Sequence, residues 1–247
     1  MPIPGRLLKD LLLKQFKSMK QQQSGPFLYH VNTVQTAITF LKNNGLLSRG
    51  AVEDLGLIQT AQRSDDTDKA LGIYYDIFFD SCDVHYECNN ICFYGPVSFR
   101  YGIDLLNDLD AEKKIIEVTK SNPIYWKQID RDNQYFNEGD IQLQGTGFTL
   151  GNFKQHITIV NHHAPLSFTR LESVILDEPD NSKKHQELFK KAKDYLAKLI
   201  NDLNKSNSTN VEFIIRTQEQ CRQDCRCKEN YRKMSDESFC KFFSFEE

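Results

Sequence analysis

The chain has 247 residues, of which 39% are hydrophobic and 26% charged, and seventeen Phe and ten Tyr supply large pieces of core area. That length can bury one large core or two small ones. A formal net charge of -3 exerts no global pull toward nucleic acid or anionic lipid, so any polyanion contact has to be local.

In residues 1–23, Arg6, Lys9, Lys14, Lys17 and Lys20 interrupt apolar residues that recur at helical spacing. This reads as an amphipathic helix docked on the rest of the chain, because a secretory signal needs an unbroken apolar run. No stretch of about 18 apolar residues occurs, so no transmembrane helix is expected. Seven cysteines, an odd number, without an export signal favour a reducing, cytoplasmic setting. Residues 21–26, polar and closed by Gly25-Pro26, read as a hinge.

A strand opens at Phe27, followed by a helix over about 33–44 with Gly45 as its expected C-cap. Residues 48–69 read as loop and short helix. Strands are expected at 73–79 and 91–101, the second broken at Gly95-Pro96, and again at 114–119. Residues 138–152, with four glycines, read as a surface loop. Further strands are expected at 155–160 and 171–176, a long amphipathic helix at 183–204, and a last strand at 211–216. The cysteine-bearing tail beyond it reads as an ordinary solvated segment. Strands mixed with helices, without regular βαβ alternation, make the fold class α+β.

His30 carries the first chemical signal. Side chains alternate along a strand, so Tyr29 and His30 face opposite ways, one to the core and one over a cleft. A histidine there can bond a ribose hydroxyl, or can be a buried ring satisfied by backbone. His156-Ile-Thr158 is a His-x-Thr strand signature of the kind two-histidine phosphoesterases use, with His30-Val-Asn32 as an imperfect second copy. Asn161-His162-His163 reads as a surface turn, because adjacent strand residues cannot serve one site. Asp104, Glu117 and Lys120 carry one residue too many for a nuclease metal site built on strand alternation.

Two clusters offer soft ligands. Cys82, His85, Cys88 and Cys92 could supply tetrahedral zinc, though four ligands within eleven residues are cramped. Asp80, Asp83 and His85 form a harder alternative in the same stretch. The tail offers Cys221, Cys225, Cys227 and Cys240 among arginines whose charge nearby acids largely cancel. Neither set is assigned a metal from sequence.

The order Phe27-Leu-Tyr-His30-Val-Asn-Thr33, helix, Gly45-Leu-Leu, a polar stretch with Arg49 and Arg63, then Gly72-Ile-Tyr-Tyr75 resembles the ADP-ribosyltransferase superfamily, including its bacterial DNA-modifying toxins. The resemblance covers roughly residues 27–177. It implies a mixed and antiparallel split sheet with flanking helices. The chain is expected to divide into 1–24 (N-terminal helix), 27–179 (ADP-ribosyltransferase-like core) and 180–247 (helix, strand and cysteine-bearing tail packed on the core). The resemblance also implies NAD as the nucleotide ligand, with transfer to nucleic acid or a protein side chain. His30, with Asn32 beside it, would orient the nicotinamide-side ribose. Tyr75 would stack on nicotinamide, and Arg49 or Arg63 would face the pyrophosphate. The chain departs from the family where a catalytic glutamate is expected, because Gln155 or His156 stands there. Either another carboxylate serves, such as Glu138 or Glu172, or the fold is kept for binding without transfer. The rivals are a non-catalytic adaptor using the cysteine-rich tail for metal or nucleic acid, and a phosphoesterase or nuclease built on His30 and His156.

Overall fold

The computed structural model describes residues 2–18, 26–127, 130–142, 148–149, 152 and 154–246. In chain order the first half holds α1 (Gly5–Ser18), β1 (Phe27–Asn32), α2 (Val34–Lys42), β2 (Gly45–Leu46), α3 (Arg49–Asp54), α4 (Asp65–Leu71), β3 (Ile77–Phe79) and α5 (Val84–Cys88). Next come β4 (Val97–Gly102), α6 (Leu105–Ala111), β5 (Ile116–Val118), α7 (Arg131–Gln134), α8 (Glu138–Gln142), β6 (Ile157–Ile159) and β7 (Leu166–Ser167). The chain closes with β8 (Leu171–Asp177), α9 (Lys183–Asn207), β9 (Glu212–Arg216), α10 (Cys227–Lys233) and α11 (Asp236–Phe243).

The main sheet runs β1-β4-β8-β9, antiparallel except for the parallel β8–β9 pair. A second, antiparallel sheet runs β3-β6-β5, and β2 pairs with β7. The two larger sheets meet where Tyr29 and Asp80 exchange backbone hydrogen bonds of 2.8 Å in both directions. This is the α+β class that the residue pattern implies, with the split sheet and flanking helices that the resemblance implies.

The core follows from side-chain period. Val97, Phe99 and Tyr101 of β4 are fully buried, as period-two alternation demands. Phe99 stacks on Phe168 with centroids 5.9 Å apart. On α9, Phe189, Ala192, Leu196, Ile200 and Leu203 are buried at three- and four-residue spacing. Leu8 and Leu12 of α1 bury too, and the Asp110 carboxylate accepts from the Gly5 and Arg6 amides (2.6 and 2.8 Å), satisfying donors that a helix start leaves open. One hydrophobic core takes in residues from Ile3 to Phe243.

Several local expectations shift. Gly45 does not cap α2: Asn43 does, Asn44 takes the positive φ, and Gly45 enters β2. There a Cβ would lie 2.7 Å from the Leu166 carbonyl oxygen, so close strand approach explains the glycine. The strands expected at 73–79 and 91–101 shorten to β3 and β4, because 73–76 forms a turn and Gly95 breaks the second run. The tail packs on the core, as the division of the chain expects, and is not an ordinary solvated segment: α10 and α11 bury Tyr231, Phe239 and Phe243. Of the loop expected at 138–152, Glu138–Gln142 is helical, while 143–147, 150 and 151 lie outside the described residues, as do 21–25 of the hinge. Among the described residues, no helix is long and apolar enough to cross a membrane.

Candidate functional site

A cleft of about 850 Å³, counting its open mouth, lies where the two sheets part. β1 contributes His30 and Asn32, α3 contributes Arg49, the end of β3 contributes Asp80, and the residue before β6 contributes His156. Phe78, Tyr74 and Tyr94 supply aromatic walls.

The position of His30 is set by two hydrogen bonds. Its Nδ1–H donates to the Phe78 carbonyl (2.8 Å), which leaves Nε2 as an acceptor for the Asn32 amide at 2.8 Å. Gln62 Nε2 in turn donates to Asn32 Oδ1 at 3.2 Å. Burial, the largest influence, pushes the imidazole's pKa below its ordinary value and favours the neutral ring, against the Phe78 bond and Asp80. Gly95 fixes the height of this strand end. Its φ is +142°, and a Cβ there would sit 2.4 Å from the Asn32 carbonyl.

Arg49 opens α3, whose Ser48 cap accepts from the Ala51 amide (3.2 Å) and donates to the His162 carbonyl (2.7 Å). The guanidinium grips Asp65 through Nε and Nη2 and reaches the Thr60 carbonyl at 3.0 Å. Its Nη1 is buried without a partner. An unsatisfied buried donor on a cleft wall is a group prepared for an anion.

His156 presents Nδ1 to Asp80 Oδ1 at 3.2 Å and its ring edge to Phe78. Apart from that imidazole, Asp80 Oδ1 is buried without a hydrogen-bond partner. Asp68, also on the wall, has its pKa pushed up to about 6 by burial, against the opposing bond from Ser64.

His30, Asn32, Arg49 and His156, all legible in the sequence, therefore share one cleft. Tyr75, Arg63 and Gln155 lie elsewhere. The Tyr75 ring lies over Gly50, where a Cβ would be 2.6 Å from it, its hydroxyl donates to Asp54 (2.9 Å), and it meets the His163 ring at a tilt of 35° with centroids 4.3 Å apart. It braces α3 from outside while Tyr74 faces the cleft, because the turn at 73–76 cancels strand alternation. Arg63 is exposed. Gln155 is buried beside the cleft, its Oε1 accepting from the Thr149 amide at 3.0 Å. Neither Glu138 nor Glu172 lines the cleft, and the carboxylate beside His156 is Asp80. Asp80, a member of the harder metal set by spacing, is a cleft acid, and its place at the end of an apolar strand run is the signal for that.

The soft-ligand sets do not assemble as the sequence spaces them. His85 leaves Cys82, Cys88 and Cys92 and joins Cys221, Cys225 and Cys227, and Cys240 is not in the group.

No family model matches the chain, and no curated protein matches it in sequence. Among solved structures it is similar to Thermus sp. 2.9 DarT in complex with ADP-ribosylated ssDNA, at 8% identity and a TM-score of 0.48, covering 83% of this chain and 100% of that one. It is similar to the same DarT in complex with NAD+, at 8% identity and a TM-score of 0.46, over 82% of this chain and all of that one. It is also similar to Thermosipho africanus DarTG in complex with ADP-ribose, at 12% identity and a TM-score of 0.42, over 77% of this chain and 50% of that one.

Proposed function

We propose that this chain binds NAD in the cleft and transfers its ADP-ribose to a nucleic-acid base or a protein side chain. The observation that carries the reading is the convergence of His30, Asn32, Arg49 and His156 on one cleft with an unpaired buried guanidinium nitrogen. The NAD pyrophosphate meets Arg49 Nη1. A hydroxyl of the nicotinamide-side ribose takes the place of the Asn32 amide on His30 Nε2. Tyr94 or Phe78, rather than Tyr75, flanks the nicotinamide ring.

The transfer breaks the bond between the ribose C1′ and nicotinamide nitrogen, whose electron pair leaves with neutral nicotinamide. Asp80 supplies the fixed negative charge that steadies the oxocarbenium-like transition state, in the role the superfamily gives to glutamate. An acceptor oxygen or nitrogen bonds to C1′ and yields its proton to His156 Nε2, which has no protein partner among the described residues. The resulting imidazolium is balanced by Asp80. The phosphoesterase reading loses support because Thr158, the second half of its signature, is buried and does not line the cleft.

NAD titration followed by thermal unfolding and by nicotinamide release tests the reading. The wild-type chain is expected to melt higher with NAD, His30→Ala and Arg49→Ala to weaken binding by about tenfold or more, and exposed Arg63→Ala to bind normally. Full NAD stabilisation of both cleft variants would overturn the proposal.

A further inference from the structure

Outside the cleft, His85 of α5 and three cysteines of the β9–α10 segment form a compact group. His85 Nε2 lies 3.6 Å from Cys221 Sγ and 3.6 Å from Cys225 Sγ, and Cys221 Sγ lies 3.8 Å from Cys227 Sγ. All four donor atoms fall within 4.8 Å of one another. A tetrahedral zinc ion, with Zn–S of about 2.3 Å and Zn–N of about 2.0 Å, separates two sulfurs by about 3.8 Å and a sulfur from a nitrogen by about 3.6 Å. These three spacings are close to those of a loaded site, and the remaining pairs lie within 4.8 Å.

The surroundings fix the histidine for the same task. Its Nδ1–H donates to Asp177 Oδ2 at 2.6 Å, which directs the Nε2 lone pair at the sulfurs. Asp177 is held by Arg216 Nη1 at 2.9 Å, and Arg216 also grips Asp83, the residue that caps α5. A ligand-orienting carboxylate, itself oriented and charge-balanced, is the usual second layer of a zinc site. His85 and Cys227 are buried and Cys221 and Cys225 half-buried.

We infer that His85, Cys221, Cys225 and Cys227 bind one zinc ion in a closed Cys3His site. Four protein ligands leave no open position, so the role is structural. The ion joins α5, which follows β3, to the loop after β9. That junction is continued by the Arg226 amide donating to the Asn89 carbonyl (2.8 Å) and by Asn89 Nδ2 donating to Asp224 (2.7 Å). It seats α10 and α11, whose aromatic residues complete the core.

The test is elemental analysis of the full chain produced with zinc supplied, together with cobalt titration of the chelator-treated protein. The expected results are one zinc per chain, and a cobalt spectrum with the visible bands of tetrahedral coordination and thiolate charge transfer. Cys225→Ser and His85→Ala are expected to lose that spectrum or shift it, whereas Cys88→Ser and Cys240→Ser keep it. Zinc removal from wild type should lower the melting temperature without substitution, which covers variants that fail to fold. Absence of both metal and cobalt bands in the wild-type chain would sink the inference, as would a spectrum unchanged by Cys225→Ser or abolished by Cys88→Ser. None of these readouts depends on NAD.

Discussion

The cleft and the cysteine-histidine knot are built from similar parts and finished differently. Each has a histidine whose Nδ1 faces an aspartate: His156 to Asp80 at 3.2 Å, and His85 to Asp177 at 2.6 Å. In the knot every charge has an answer, since Arg216 bridges Asp177 and Asp83 and the imidazole turns to the sulfurs. In the cleft the network stops short, leaving Arg49 Nη1 without a partner and Asp80 with only an imidazole beside Oδ1. Closure of a buried polar network favours one fixed structure, whereas unpaired groups at an opening are where a ligand completes the set. The first arrangement holds the chain together and the second leaves room for chemistry.

The largest test of that contrast is Arg216→Met. It removes the shared partner of two buried carboxylates and is expected to cost about 3–5 kcal/mol of stability in urea unfolding. A loss under about 1 kcal/mol would mean that the knot's charges behave as surface pairs, and the contrast would fail. Asp80→Asn tests the other side, because it keeps shape and removes charge. Nicotinamide release is expected to fall by about 10²–10³, with NAD affinity little changed. Equal losses in binding and turnover would make Asp80 a binding group and leave the transfer step without its carboxylate.

Much of the cleft was legible because its anchors sit at strand or helix starts and ends with strong local signals. His30 ends an apolar run before a Thr33 cap, and Arg49 follows a Ser48 cap. Tyr74, not Tyr75, lines the cleft, since a turn at 73–76 looks like a strand when aromatic residues fill it. Asp80 became recognisable only when β3 and β6 stood side by side. The knot was least legible of all: its ligands come from positions 85 and 221–227, and sequence spacing sees only neighbours. The tail's burial was hidden for a related reason, with Tyr231, Phe239 and Phe243 separated by charged residues that face outward on short helices.

Asp68 offers a finer probe of how open the cleft is. With its pKa near 6 in the folded chain and near the ordinary 3.8 when unfolded, the folded state holds more protons between those values. Stability from this group is therefore present below about pH 4 and lost as pH rises through 6, by at most about 3 kcal/mol. Asp68→Asn should stabilise the chain at pH 8 and leave it unchanged at pH 4, as read by denaturant midpoints. Equal effects at both pH values would show that the carboxylate is well solvated and the wall more open than its burial implies.

The smallest effect is expected at Tyr75, where the comparison between bracing and binding is sharpest. Its ring touches Gly50 of α3 and His163 of the loop before β7, and its hydroxyl reaches Asp54 at the end of α3. Tyr75→Leu keeps an apolar body against Gly50, so Arg49 at the start of the same helix should hold its place. NAD affinity by calorimetry should then change by less than about threefold, while Tyr94→Leu, which alters a cleft wall, weakens it more. A loss of about tenfold or more at Tyr75 would return its ring to the nicotinamide and mean that α3 moves when the nucleotide enters.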